Sequence, residues 1–309
     1  MKKIIMVCLI LLTEKIIACD VCSFSASTAN VDILNVQPQS YIQSSLTYKK
    51  FRHYNTINHL QTTNQIQNNW QIAYSSKKWV ALKLTLPVVW QQQWYKNTVE
   101  NKMINQHKAG LGDLVLQSNF NVLNKQEDCI KKFKQQLNFG MGFKFPTGKI
   151  KSATNDNLDN FIFGSQSFDF LFSALYSVKI KKCVLVNNIQ YKLNTQNKAG
   201  IKYGNLISAQ IMSGYSLTYK ATNFLPSLGL LFEHADKNLH HNIIQPKSGY
   251  NILYLNYGLT MNIKQFLIDI HIQNPILEKS NNDELKQKSS IVATLQYVFP
   301  TKKNKIKHS

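Results

Sequence analysis

The residues able to do chemistry in this chain are few and scattered. Cys19-Asp20-Val21-Cys22 is a close thiol pair. That spacing could serve a redox couple, a metal or a haem, but each needs neighbours that are missing. A metal site needs further ligands. A c-type haem needs His where Ser23 stands, and a thioredoxin-like centre needs a βαβ context. In an oxidising compartment such a pair forms a small disulfide loop. The competing reading is a lipid on Cys19, because Ile16-Ile17-Ala18-Cys19 resembles a lipoprotein processing box. Cys129 and Cys183 fall in two expected turns that two strands separate by roughly 10 Å, which disfavours a bridge.

His240 and His241 are adjacent and could ligate a metal, although a loop position leaves them solvated. Asp113 and Asp169 are isolated carboxylates with no acid–base partner at a useful spacing. Gly110-Leu111-Gly112 stands alone and does not make a nucleotide loop. No HExxH, phosphate loop or Ser–His–Asp order is present. The sequence therefore predicts no enzyme: no catalytic, cofactor-binding or metal residues, and no cofactor.

What the polar residues do share is a face. Lys83, Asp113, Lys134, Lys144, Asp169, Asp269 and His271, with Gln117, Asn119, Gln136 and Asn138, all alternate with apolar residues. Alternation is the signature of a strand with two unlike faces. The clearest case is 133–145, where Phe133, Leu137, Phe139, Met141, Phe143 and Phe145 share one side with Gln135. Lys134, Gln136, Asn138, Gly140, Gly142 and Lys144 share the other. The contrast repeats in 80–90, 166–178, 266–272 and 291–299. Weaker strands are expected at 40–52, 67–75, 111–123, 183–193, 203–218, 224–234 and 249–262. The total is twelve, an even number, and each is read as near or above the roughly nine to eleven residues a tilted strand needs to cross a bilayer.

Connection lengths alternate as well. Gaps 53–66, 91–110, 147–164, 235–248 and 275–288 are long, while 75–78, 179–182, 219–223 and 263–265 are short. Long external loops and short periplasmic turns are the habit of outer-membrane barrels, so the order also sets the orientation, with both termini periplasmic. The expected fold is all-β: a transmembrane antiparallel β-barrel of about 12 strands, apolar faces outward and the seven charged residues above facing the lumen. A soluble sandwich would also alternate, but would not need strands this long or this parity of loops. Twelve strands also enclose an interior wider than the side-chain-filled eight-stranded case.

Composition agrees. The apolar fraction is 44%, too high for disorder, and 14 Tyr, 16 Phe and 4 Trp can furnish aromatic girdles. No later run of apolar residues is long enough for a spanning helix. Lys2-Lys3 followed by the apolar stretch Ile4 to Leu12, with Ala18 as a small residue for cleavage, reads as an export signal. The expected organisation is a signal peptide over 1–18, a periplasmic segment with the CxxC pair over 19–38, a barrel over 39–299 and a basic tail over 300–309. The net charge of +20 falls to +18 without residues 1–18, which hold three lysines and one glutamate. The remaining lysines are spread along turns, loops and strand ends, not gathered on a helix or arm. Nucleic acid is therefore not an expected partner, and anionic lipid headgroups suit the charge. The terminal Tyr297-Val298-Phe299 resembles the strand signal read by the outer-membrane assembly machinery.

Three segments, in order, resemble one family. They are Gly110-Leu111-Gly112-Asp113-Leu114, then Gly140-Met141-Gly142-Phe143-Lys144-Phe145-Pro146-Thr147-Gly148-Lys149, then Gly164-Ser165-Gln166-Ser167-Phe168-Asp169-Phe170. The family is that of bacterial outer-membrane transporters associated with phenol-degradation pathways. Cys19-Asp20-Val21-Cys22 and the segment through Gln39 resemble members from Bacteroidetes, with Ser23-Phe24 in place of the usual Gly-Cys. The resemblance implies a porin-like barrel in a Gram-negative outer membrane that passes small solutes, hydrophobic ones included. It supplies no catalytic residue. The alternative is a structural or interaction barrel with a plugged lumen and no transport.

Overall fold

In the computed structural model the described residues are 39–54, 60–77, 79–97, 102–125, 133–148, 150–151, 161–280 and 285–300. The expected signal peptide, the segment holding Cys19 and Cys22, Cys129 and the tail beyond Pro300 lie outside them.

Twelve antiparallel strands close on themselves. They are β1 (Tyr41–Tyr54), β2 (Leu60–Lys77), β3 (Val80–Asn97), β4 (Lys102–Leu111 and Leu114–Lys125), β5 (Phe133–Phe145) and β6 (Asp169–Ile180). Then follow β7 (Cys183–Leu193), β8 (Leu206–Tyr215), β9 (Thr222–Ala235), β10 (Tyr250–Ile263), β11 (Phe266–Ser280) and β12 (Ser290–Val298). Each strand pairs with its sequence neighbours, and β12 returns to β1 with Tyr41 opposite Val298 and Tyr48 opposite Ile291. Strands about 4.8 Å apart, tilted about 40°, close twelve at a backbone diameter of about 24 Å.

The side-chain period of two decides which face is which. Leu82, Leu84 and Leu86 of β3 point outward and are exposed, while Ala81, Lys83 and Thr85 between them are buried. Phe139, Met141 and Phe143 of β5 are outward, and Gln136 and Lys144 are inward. The outer wall is thus a belt of exposed Leu, Ile, Phe and Trp, far more apolar area than a water-facing surface carries. No helix among the described residues is long and apolar enough to cross a membrane, and the apolar surface belongs to strands.

Twelve strands fall where alternation placed them, but several run further. β2 starts at Leu60, β3 continues to Asn97, β4 begins at Lys102 and β11 reaches Ser280. Three of the long gaps read from sequence are therefore partly strand. Gln91, Gln92 and Gln93 lie opposite Lys108, His107 and Gln106, for example. The Gln91 to Gln93 stretch is polar on both faces, so it carries no alternation, yet its backbone still gains ladder hydrogen bonds. Smaller pairs sit inside the remaining loops: Ile150–Lys151 with Phe161–Ile162, and Leu239–His240 with Ile243–Ile244 and with Ile201–Lys202.

The opposite end is capped by tight turns. Ile180 pairs with Cys183, Tyr219 with Thr222, and Ile263 with Phe266, leaving two residues in each turn. The first residue of each is a lysine with positive φ: Lys181 at 55°, Lys220 at 52° and Lys264 at 56°.

Candidate functional site

The site is the inner wall of the barrel and its long-loop mouth. The wall is built mostly from neutral amides and hydroxyls. Gln43 stands opposite Gln71 on one side and Gln296 on the other, which makes a row of three amides across β2, β1 and β12. One residue pair further along, Ser45 stands between Asn69 and Thr294, and the Ser45 and Thr294 hydroxyls are 2.9 Å apart. All these side chains are buried, but their hydrogen-bonding capacity is not spent. Gln43 Nε2, Gln71 Oε1 and both amide atoms of Gln296 have no protein partner, nor do both amide atoms of Gln210 across the barrel. Buried amide atoms are costly unless water or a solute answers them.

A patch of a different kind interrupts the amides. Leu175, Val184, Val186, Met212 and Leu225 cluster on the inner face of β6 to β9. The wall therefore offers an apolar stretch alongside the polar one.

At the mouth, three charged residues meet. Strand β4 breaks between Leu111 and Leu114, and the break turns Asp113 inward. Thr147 secures it, accepting from the Leu114 amide at 2.8 Å and donating to the Gly112 carbonyl at 3.2 Å. Asp113 Oδ1 accepts from the Gly148 amide at 2.8 Å. Its Oδ2 accepts from the Ser165 amide at 2.7 Å and from Lys144 Nζ at 3.1 Å. Lys144 also reaches Asp169 Oδ2 at 2.5 Å and the Ser165 hydroxyl. Asp169 Oδ1 in turn accepts from the Thr195 amide at 2.9 Å. The three charged side chains have 0–3% exposure. Two carboxylates and one ammonium leave a formal charge of −1, offset by the three backbone N–H groups and the hydroxyls.

This cluster pins Phe163–Ser167 against the inner wall. Phe163 is wholly buried against Val89 and over Gly110. A Cβ on Gly164 would run into the Asp113 carboxylate, and one on Gly148 would meet Gly164 at 2.7 Å, so both positions need glycine for close approach. Asn197, from the loop after β7, donates to the Ser165 carbonyl at 3.0 Å. The segment is thus latched to the inner side of β4, β5 and β6.

A second polar cluster sits deeper. Asp269 Oδ1 accepts from the Thr260 hydroxyl at 2.6 Å and faces His271 Nε2 at 2.9 Å, and His271 Nδ1 faces Asn256 Oδ1 at 3.2 Å. Near the loops, Tyr254 Oη donates toward Gln287 at 2.9 Å and Glu233 at 3.3 Å.

Of the charged residues singled out in the sequence, Asp113, Lys144 and Asp169 come together, and Asp269 and His271 form their own pair. Lys83 is buried on the inner wall of β3, opposite Gln117. Lys134 is half-buried at the short-turn end, opposite Lys179. His240 and His241 lie in the long-loop cluster with ring centroids 4.5 Å apart, and no group of three metal-ligating side chains occurs among the described residues. Cys183 is an exposed free thiol at the short-turn end. Phe163, Ser165, Ser167 and Asn197 were not legible as site residues. Their sequence trace is the pair of glycines at 148 and 164 and, for Ser165 and Ser167, the segment from Gly164 to Phe170 that carries the family resemblance.

No protein-family profile and no curated protein matches the chain. Solved structures do. An outer-membrane channel from Pseudomonas putida F1 superposes with a TM-score of 0.59 at 13% identity, over 86% of this chain and 98% of that one. The transport unit of the autotransporter AIDA-I from Escherichia coli gives 0.47 at 11% identity, over 95% and 97%. The translocator domain of NalP from Neisseria meningitidis gives 0.46 at 7% identity, over 88% and 92%. At these identities the first likeness establishes the fold, that of an outer-membrane β-barrel, and the other two add no weight.

Proposed function

We propose that the protein is a bacterial outer-membrane channel through which small solutes diffuse, with both chain termini on the periplasmic side. The observation that carries this is the inner wall: a lining mostly of neutral amides and hydroxyls, several of whose donors and acceptors have no protein partner. Such a lining exchanges hydrogen bonds with a passing polar group, and no fixed positive or negative ring selects for charge. The apolar stretch from Leu175 to Leu225 lets the other side of an amphipathic solute slide past without losing contact. Small neutral molecules, aromatic ones included, are the class this wall suits, in line with the resemblance to phenol-pathway transporters. The likeness to the Pseudomonas channel supports the reading through the fold. The assembly machinery would read the strand ending at Tyr297-Val298-Phe299.

Liposomes carrying the full-length protein should swell when small neutral solutes are added, at rates that fall with solute size. Rates equal to those of empty liposomes, with folded barrel present, would overturn the proposal. The latch favours a second reading: Phe163–Ser167 could keep the barrel shut, leaving a structural barrel. Swelling absent in the native protein but present once the latch is cut would support that reading.

A further inference from the structure

We infer that the short-turn rim of the barrel is a binding surface for anionic phospholipid headgroups, which it selects over neutral ones. The inference rests on the chain's insertion in a membrane and not on its conducting anything.

Among the described residues, acidic side chains are divided unequally between the two ends. The acidic residues described are Asp113, Asp169, Glu233, Asp236, Asp269 and Glu278. Asp113 and Asp169 sit in the latch, Glu233, Asp236 and Glu278 lie toward the long loops, and Asp269 is buried in the wall. None of them is at the outer edge of the short-turn end. That edge carries Lys181, Lys182, Lys220 and Lys264, all exposed. Successive two-residue turns are two strands apart, roughly 10 Å by strand spacing.

The backbone gives an independent reason to look for a role. Lys181, Lys220 and Lys264 each hold a left-handed φ at the first position of a tight turn. Glycine or asparagine adopts that conformation more readily than lysine does. The chain places asparagine in such a conformation elsewhere, at Asn242 with φ of 65°. Lysine three times over, where the backbone prefers something else, points to a use for the side chain.

The surroundings fit a headgroup. Just inside the turns lie exposed Trp79, Tyr215, Tyr219 and Phe266, the ring types that settle at a membrane interface. Lys182 Nζ sits 6.0 Å from the Tyr215 ring centre and Lys220 Nζ 5.4 Å from that of Tyr219. Each ring thus has an ammonium beside it at the turn end of the barrel. A phosphodiester carrying net negative charge fits this row; a zwitterionic headgroup brings its own cation and fits it worse.

The test uses full-length protein in phosphatidylcholine vesicles containing a minority of phosphatidylglycerol. After gentle detergent extraction, the lipid retained per folded barrel is quantified, with heat-modifiable gel mobility as the check of folding. Native protein should retain phosphatidylglycerol above its share in the vesicle. The combined Lys181→Gln, Lys182→Gln, Lys220→Gln and Lys264→Gln variant should lose that preference, by on the order of fivefold for each lysine that reaches the headgroup plane. The corresponding four Lys→Arg changes should keep it, and molar salt should abolish it in the native protein. Retention in proportion to the vesicle composition, or a preference that survives the glutamine changes or molar salt, overturns the inference. Failure to insert in either lipid would count against the membrane reading instead.

Discussion

Lys144 is the most exposing place to perturb the latch. Its ammonium lies within salt-bridge distance of both Asp113 and Asp169. Lys144→Met keeps most of the side-chain volume and removes the charge. Asp113 retains its bonds from Gly148 and Ser165, and Asp169 its bond from Thr195. What is lost is the compensation between two buried carboxylates, and stranding buried charge in this way costs about 3–5 kcal/mol. Neutralising all three positions, as Asp113→Asn with Lys144→Met and Asp169→Asn, leaves no stranded charge and should recover most of that loss. Urea unfolding of the vesicle-inserted barrel, followed by tryptophan fluorescence, measures both. Single-channel recording in planar bilayers supplies the second readout: with Ser165 released from Lys144, the Phe163–Ser167 segment should leave the wall more often and mean conductance should rise. If Lys144→Met costs less than about 1 kcal/mol, as a solvent-exposed pair would, and conductance is unchanged, the latch does not hold the segment.

Other consequences can be checked in parallel. Leu84→Arg puts a charge on the middle of the outer face and should cost about 2–4 kcal/mol of insertion free energy, seen as loss of the heat-modifiable folded band; the same change on a water-facing sheet would be almost silent. Gly142→Val would press a side chain on the Leu116 carbonyl, 2.6 Å from the position of a Cβ, and should destabilise the barrel by about 1–3 kcal/mol in urea. Tyr254→Phe removes the donor shared between Gln287 and Glu233 and should lower stability by about 1–2 kcal/mol without changing solute permeation.

How much of this was open to a reader of the sequence depended on whether a residue's role follows from its neighbours along the chain. Phe133 to Phe145 declares itself, because lipid on one side and a polar interior on the other force every second residue to be alike. Gln91 to Gln93 and Lys102 to Lys108 do not, because above the apolar belt both faces meet polar surroundings and only backbone pairing keeps them in strands. Asp113, Lys144 and Asp169 could each be placed on the inner face. That they meet follows from the strand break after Leu111 and from the inward path of Phe163–Ser167, which no periodicity encodes. The pairing of Asp269 with His271 was nearer to view, since residues two apart on one strand share a face.

The closure between β1 and β12 also constrains how the chain can fold. Ser45 and Thr294 touch across that seam at a sequence separation of 249, while every other barrel pairing joins strands that follow one another. Eleven hairpin-like contacts can form progressively as strands emerge, but the twelfth waits for the entire chain. Until then two unpaired edges, each flanked by greasy side chains, are open to any other strand. Such a topology makes seam formation the slow, vulnerable step. Misassembly should therefore concentrate at β1 and β12, and a crosslink across that seam would lock in a closed barrel where one elsewhere would not.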